Sequence, residues 1–295
     1  MVSDDNSTTE STSRRTYLRT AGTAVGAVVF ASGTAVAGSD DTADRREGIQ
    51  PEEVPGDVDR SETQITEPTV ITEPGNYRLT EDLSIKSGIG IVIASDNVTL
   101  NGAGQTISGC SSGTGIFATL SRNIFVENVT VESLGTGVFY FEIFDSTLAE
   151  VTVTDCQNSG IRLDDAARNT VRDCELCNCH LSFSDDCVRN SVFDNTISDA
   201  PESGINLSDA PKNVFVRNTV SGSNRSGFIT EFDGNHILAQ NEFVKNDSFG
   251  VDLQDTTDNL VTATNLSDNA GGPCNADNPD DNVLLGNDPE CEPTD

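Results

Sequence analysis

The sequence predicts an all-β solenoid, a single chain wound into about eight parallel coils of roughly 23 residues with three short strands to a coil. Three columns of residues predict it. Glycine followed by an aliphatic or aromatic residue recurs at Gly90-Ile91, Gly115-Ile116, Gly137-Val138, Gly160-Ile161, Gly204-Ile205, Gly227-Phe228 and Gly250-Val251. His180-Leu181 fills the one double step. A second column, Asn123, Asn169, Asn190, Asn213, Asn235 and Asn259, keeps the same beat, with Ser146 in the gap. The third runs Val131, Val153, Leu176, Ile197, Val220 and Phe243. A period shared by three columns and this short marks a stack of repeats.

Strands rather than helices follow from the local pattern. Apolar residues alternate, as in Ile161-x-Leu163, Ile205-x-Leu207 and Val251-x-Leu253, and a period of two buries one face of a strand. Asn, Asp, Gly and Ser separate the strands as turn formers. The asparagine column predicts a ladder, each side-chain amide bonding to the coils above and below.

The chain divides by composition. Residues 1–37 read as an export signal: Ser13-Arg14-Arg15-Thr16-Tyr17-Leu18-Arg19 resembles a twin-arginine signature, an apolar run follows, and Ala35-Val36-Ala37 offers a cleavage site. Residues 38–63 are acidic and poor in large apolar side chains, as a disordered linker is. Residues 64–89 predict lead-in strands and an N-terminal cap, 90–270 the solenoid, and 271–295 an acidic tail. The expected protein is therefore exported, with no membrane span once the signal is cut.

The region from Ile71 to about Ala270 resembles right-handed parallel β-helix repeat proteins of the pectate-lyase-like superfold. Ile71-Thr72-Glu73-Pro74-Gly75-Asn76-Tyr77 and Val98-Thr99-Leu100-Asn101-Gly102-Ala103-Gly104 carry the likeness to a first coil. The resemblance implies a right-handed coil, and it covers lyases, hydrolases, epimerases, adhesins and non-enzymes alike. It extends to the NosD-like periplasmic copper-binding relatives. The acid excess with only three Lys is similar to that of proteins from salt-loving archaea.

Charge narrows the partners. With 17 Lys and Arg against 48 Asp and Glu, the net charge is −31, and neither a nucleic-acid backbone nor an anionic membrane face attracts such a surface. An extracellular polysaccharide or a cell-surface protein remains the expected partner.

Eight cysteines suggest staples. Cys156 and Cys179 lie 23 apart, each three residues after the third column, so they are expected to stack and form a disulfide. Cys274 and Cys291 bracket the tail and are expected to close it. Cys174-x-x-Cys177-x-Cys179-His180 with Cys187 would suit zinc or copper, but alternation turns Cys174 inward and Cys177 outward. Beyond the expected signal, six Asn-x-Ser/Thr sequons, at Asn97, Asn128, Asn206, Asn224, Asn246 and Asn265, permit glycosylation in an exported chain.

On the glycine-led strand the outward positions are Val92, Phe117, Phe139, Arg162, Ser182, Asn206, Ile229 and Asp252. No two carboxylates adjoin there, so the paired acids of glycoside hydrolysis are unsupported. Phe117 and Phe139, with Phe141 and Phe144, would stack on sugar rings or be covered by the lead-in strands or a partner; covering is the expectation. At the next turn Asp165, Asp186 and Asp209, with Asp255 and the interrupting Phe232, form an acidic column that is a candidate calcium site. Arg162, Arg168 and Arg189 would serve a lyase or pair with those acids. Neither His180 nor His236 shows a Ser or Cys partner in sequence order. The expected function is a non-catalytic binding rod for carbohydrate, surface or partner. The alternatives are a calcium-dependent lyase or hydrolase on uronate-type sugars, and a copper-binding accessory protein.

Overall fold

The computed structural model describes residues 62–278 and 281–291. The expected signal, and the linker up to residue 61, lie outside them. The described residues are strands and turns, with no α-helix among them. All strand pairing is parallel, in a ten-stranded sheet and a 17-stranded sheet that bends into two faces.

One coil shows the plan. Ser159–Asp164 lies on the ten-stranded sheet, and Thr170–Arg172 and Glu175–Cys177 lie on the two faces of the other. The chain then returns at Leu181–Ser184, paired beside the first strand. Ten such strands, from Thr69–Ile71 to Gly272–Ala276, define nine turns of the solenoid. At 4.8 Å per rung these span about 43 Å. Strands therefore continue past the expected limits: the lead-in supplies the first rung, and the tail supplies the last.

The third column holds as drawn. Val131, Val153, Leu176, Ile197, Val220 and Phe243 pair rung to rung and are fully buried. Phe183, Phe215, Phe228 and Phe243 thicken the core in the later coils, with ring centroids 5.0–6.1 Å apart.

Corners are made by single residues in the left-handed region. After the ten-stranded sheet these are Leu120, Glu142, Asp165, Asp185, Asp209, Phe232 and Asp255, with φ between 49° and 62°. Asp and Asn tolerate this conformation better than most residues with a Cβ. Much of the turn acid is thus conformational.

A second column of such corners corrects the asparagine ladder. Asn123 and Asn235 sit in it, at φ 55° and 61°, one residue ahead of the ladder proper. The ladder itself runs through Ser146, Asn169, Asn190, Asn213, His236, Asn259 and Asn282, each side chain accepting a backbone N–H from the coil before. His236 holds the 23-residue beat from Asn213 and to Asn259; Asn235 breaks it by one. A second ladder runs through Asn195, Asn218 and Asn241, with Asn287 accepting the Thr264 N–H further on, and a short third one holds Asn246 and the half-buried Asn269. Asn246 is thereby buried, whereas Asn97, Asn128 and Asn224 are exposed.

Candidate functional site on the ten-stranded sheet

Backbone register lines up the outward residues as expected: Val92, Phe117, Phe139, Arg162, Ser182, Asn206, Ile229 and Asp252 pair in succession. The Phe117 and Phe139 rings lie 5.2 Å apart, and Phe141 lies 6.2 Å from Phe139. The Arg162 guanidinium covers Phe139 at 5.2 Å, a cation–π contact. Its Nη2 donates to Asp164 Oδ2 at 2.7 Å, and Ser184 Oγ donates to the other oxygen of that carboxylate. The lead-in strands do not cover this platform. Thr69–Ile71 joins the same sheet as its first rung and leaves Val70 60% exposed at the head of the stripe. The rings are half-buried by one another and by Arg162.

Beyond Arg162 the stripe opens into a groove lined by Ser159, Arg162, Ser182, Asn206, Glu202 and Arg225 among others. At its floor Ser159 Oγ lies 3.2 Å from His180 Nε2 and 3.2 Å from Ser182 Oγ. His180 stands in the glycine column, where an added Cβ at Gly115 would meet the next coil at 2.6 Å. This coil is shorter than most: Ile161 pairs with Leu181, whereas Ile205 pairs with Phe228. Burial holds the imidazole pKa below its ordinary value, and the Glu202 charge partly opposes that. The column spacing puts His180 beside Gly160, but does not show the reach of its side chain to Ser159.

The acidic column does not assemble. Among the described residues no group of three or more His, Cys, Asp or Glu side chains converges as a metal site. Asp165, Asp186 and Asp209 are corner residues with φ of 49°, 57° and 51°, which is the reason for their presence there. Asp186 and Asp209 are exposed, and the register places Asp185, not Asp186, after the paired Ser184. Burial, then the charges of Asp164 and Asp186, raise the Asp165 carboxyl. Arg168 pairs with Asp145 through Nε and Nη2, at 2.6 and 2.8 Å, rather than with the column.

Cys274 and Cys291 form a disulfide, with a Cα separation of 5.5 Å. The expected Cys156–Cys179 bridge is absent, and both residues are free, buried thiols. Cys156 Sγ turns to the Thr154 carbonyl and Cys179 Sγ to the Val153 carbonyl, at 3.7 and 3.4 Å. Cys179 Sγ also fills the space over Gly160, 2.6 Å from where a Cβ would stand. Burial pushes the thiols of Cys156, Cys174 and Cys187 up to about 11, 12 and 12, and raises Cys179 as well. Cys177 is half-buried on the outer side of its strand, apart from these inward thiols.

A family model described as "Periplasmic copper-binding protein (NosD)" matches residues 32–202 and 178–288. The chain belongs to the NosD family. No curated protein matches it. Among solved structures it is similar to the periplasmic alginate epimerase AlgG, with 16% identity and a TM-score of 0.53. That match covers 74% of this chain and 76% of AlgG. It is also similar to ORF18 of Geobacillus virus E2, with 12% identity, a TM-score of 0.59, and coverage of 72% of this chain and 49% of that one. These likenesses show the fold alone: a right-handed parallel β-helix.

The family description raises the question of copper. Copper(I) favours thiolate, thioether and imidazole together. Here the buried thiols of Cys156, Cys174 and Cys179 donate to carbonyls, the Cys187 sulfur accepts the Ala166 N–H, and the sequence's single Met is Met1. His180 engages Ser159. The described residues therefore do not fit a preformed copper centre.

Proposed function

We propose that this NosD-family chain is an exported β-helix that binds a polysaccharide laid across the rungs of its ten-stranded sheet. The observation that carries the reading is the Phe117–Phe139–Arg162 platform, aromatic and cationic at once, continuous with the hydroxyl and amide groups of Ser182 and Asn206. Aromatic rings stack on the apolar faces of sugars, and neighbouring hydroxyls and amides bond to their edges. One rung per 4.8 Å is close to the length of a sugar unit, so successive rungs address successive residues of a chain. Export through the twin-arginine route is the reading of residues 1–37, and the Cys274–Cys291 disulfide suits an oxidising compartment.

Retardation of the full chain in gels cast with alginate, pectin or neutral glycans, with calcium or with chelator, tests the reading. Retardation by at least one glycan, unaffected by chelator, is expected. Migration unchanged by every glycan would overturn it.

A further inference from the structure

Among the described residues four buried side-chain polar atoms lack a hydrogen-bond partner: Tyr140 OH, Arg162 Nε, His180 Nδ1 and Ser223 Oγ. Such atoms are rare and call for explanation. Two of the four, Arg162 Nε and His180 Nδ1, belong to adjacent rungs beside one groove. Ser159 lines the same groove, on the strand that carries Arg162, and its Oγ is within hydrogen-bond reach of His180 Nε2.

We propose that this groove is an acyl-ester site, in which Ser159 is the nucleophile and His180 its general base, acting on O-acyl substituents of a bound carbohydrate. The substrate rests on the polysaccharide reading above; the Ser159–His180 chemistry does not. Hydroxyl nucleophiles need an adjacent base, and a Ser Oγ–His Nε2 contact is the usual arrangement. His180 suits the task because burial keeps the ring neutral. With Nε2 accepting from Ser159, the ring proton sits on Nδ1. Glu202, the charged group that acts on His180, favours the imidazolium formed during the step.

The step balances as an acyl transfer. Ser159 Oγ forms a bond to the ester carbonyl carbon and passes its proton to His180 Nε2. The carbonyl π pair moves to oxygen, whose charge the Arg162 guanidinium, held by Asp164 and Phe139 on the lining of the same groove, offsets. Collapse breaks the bond to the sugar oxygen, which takes the proton from His180. Water then hydrolyses the acyl-serine by the same relay, releasing a carboxylic acid. Ser182 Oγ, at 3.2 Å from Ser159 Oγ, holds the nucleophile's second bond.

A small fluorophosphonate and p-nitrophenyl acetate, neither of which needs the glycan platform, provide the test. Intact-mass and peptide analysis should place one adduct on Ser159, and the protein should hydrolyse the acetate. Ser159→Ala should abolish the adduct, and His180→Gln should slow both reactions by about 10²–10⁴-fold. Thermal unfolding of each variant reports whether it folds, and Arg162→Lys, which keeps the charge, should slow hydrolysis without losing the adduct. No adduct on folded wild type, an adduct elsewhere, or hydrolysis unchanged in Ser159→Ala would overturn the proposal. Ester chemistry at Ser159 without glycan retardation would instead overturn only the polysaccharide reading.

Discussion

Asn213 donates its backbone N–H to Nδ1 of His236 at 3.3 Å, where the other rungs from Asn169 to Asn282 offer an asparagine oxygen. The imidazole's other nitrogen, Nε2, lies 3.0 Å from Asp233 Oδ1, and both side chains are almost wholly buried. Thr230 Oγ1 donates to the same carboxylate, and the Ala210 N–H reaches its second oxygen at 2.7 Å. Histidine thus keeps the ladder intact while tying it to a buried acid on the preceding turn.

Replacing His236 by Asn should preserve the ladder yet leave Asp233 short of a donor. The loss should be about 1–3 kcal/mol in denaturant unfolding. Adding Asp233→Asn should recover part of it, because the two side chains are coupled. A double-mutant cycle with zero coupling energy would contradict the arrangement.

Gly115 must be glycine. A Cβ there would lie 2.5 Å from Val131 Cγ1 and 2.6 Å from the Gly137 carbonyl oxygen. Gly115→Ala should destabilise by about 1–3 kcal/mol through overpacking between coils. Equal thermal midpoints for the two proteins would show that the coils relax instead.

Six free thiols follow from a single disulfide. Thiol titration of unfolded, unreduced protein should therefore count six, and a count of four would mean a second bridge. Native protein should react fastest at Cys110 and Cys177, which are not fully buried. The raised pKa values also carry a pH dependence. Cys174 and Cys187 bind their protons more tightly folded than unfolded, so their contribution is complete below about pH 9. It should fall between pH 9 and 12, at most about 1.4 kcal/mol per pH unit for each thiol. Replacing both by Ala should flatten that decline in unfolding measured across the window.

Arg168 and Asp145 make an exposed two-bond ion pair between neighbouring corners. Exposed pairs are screened and contribute little. Arg168→Ala should leave the thermal midpoint unresolved from wild type, and a clear drop would show that the pair organises its corner.

Much of this was legible from spacing. The column from Val131 to Phe243 and the outward stripe from Val92 to Asp252 could be drawn because each coil restores the same inward–outward phase. Residue type misled where it departed from position. Asn235 looked like a ladder member and His236 did not, although His236 keeps the 23-residue interval. The pair Asp185–Asp186 adds one residue to its turn, so an acid column drawn through Asp186 slipped off the register. Cys156 and Cys179 do stack, but stacking fixes Cα positions and leaves χ1 free to send each sulfur to a carbonyl. The glycine column places His180 one rung after Gly160, but the inward phase of that column gives no sign that the imidazole reaches Ser159 Oγ.

The polysaccharide reading rests on Phe139, the ring between Phe117 and Arg162. Titration calorimetry of wild type and Phe139→Ala with an oligosaccharide of the retarding glycan tests it most directly. The expected result is a Kd about two- to twelvefold weaker for Phe139→Ala, since stacking on one ring contributes about 0.5–1.5 kcal/mol. The thermal midpoint should change little, because the ring is only half-buried. Equal affinity in a folded Phe139→Ala protein would contradict the account.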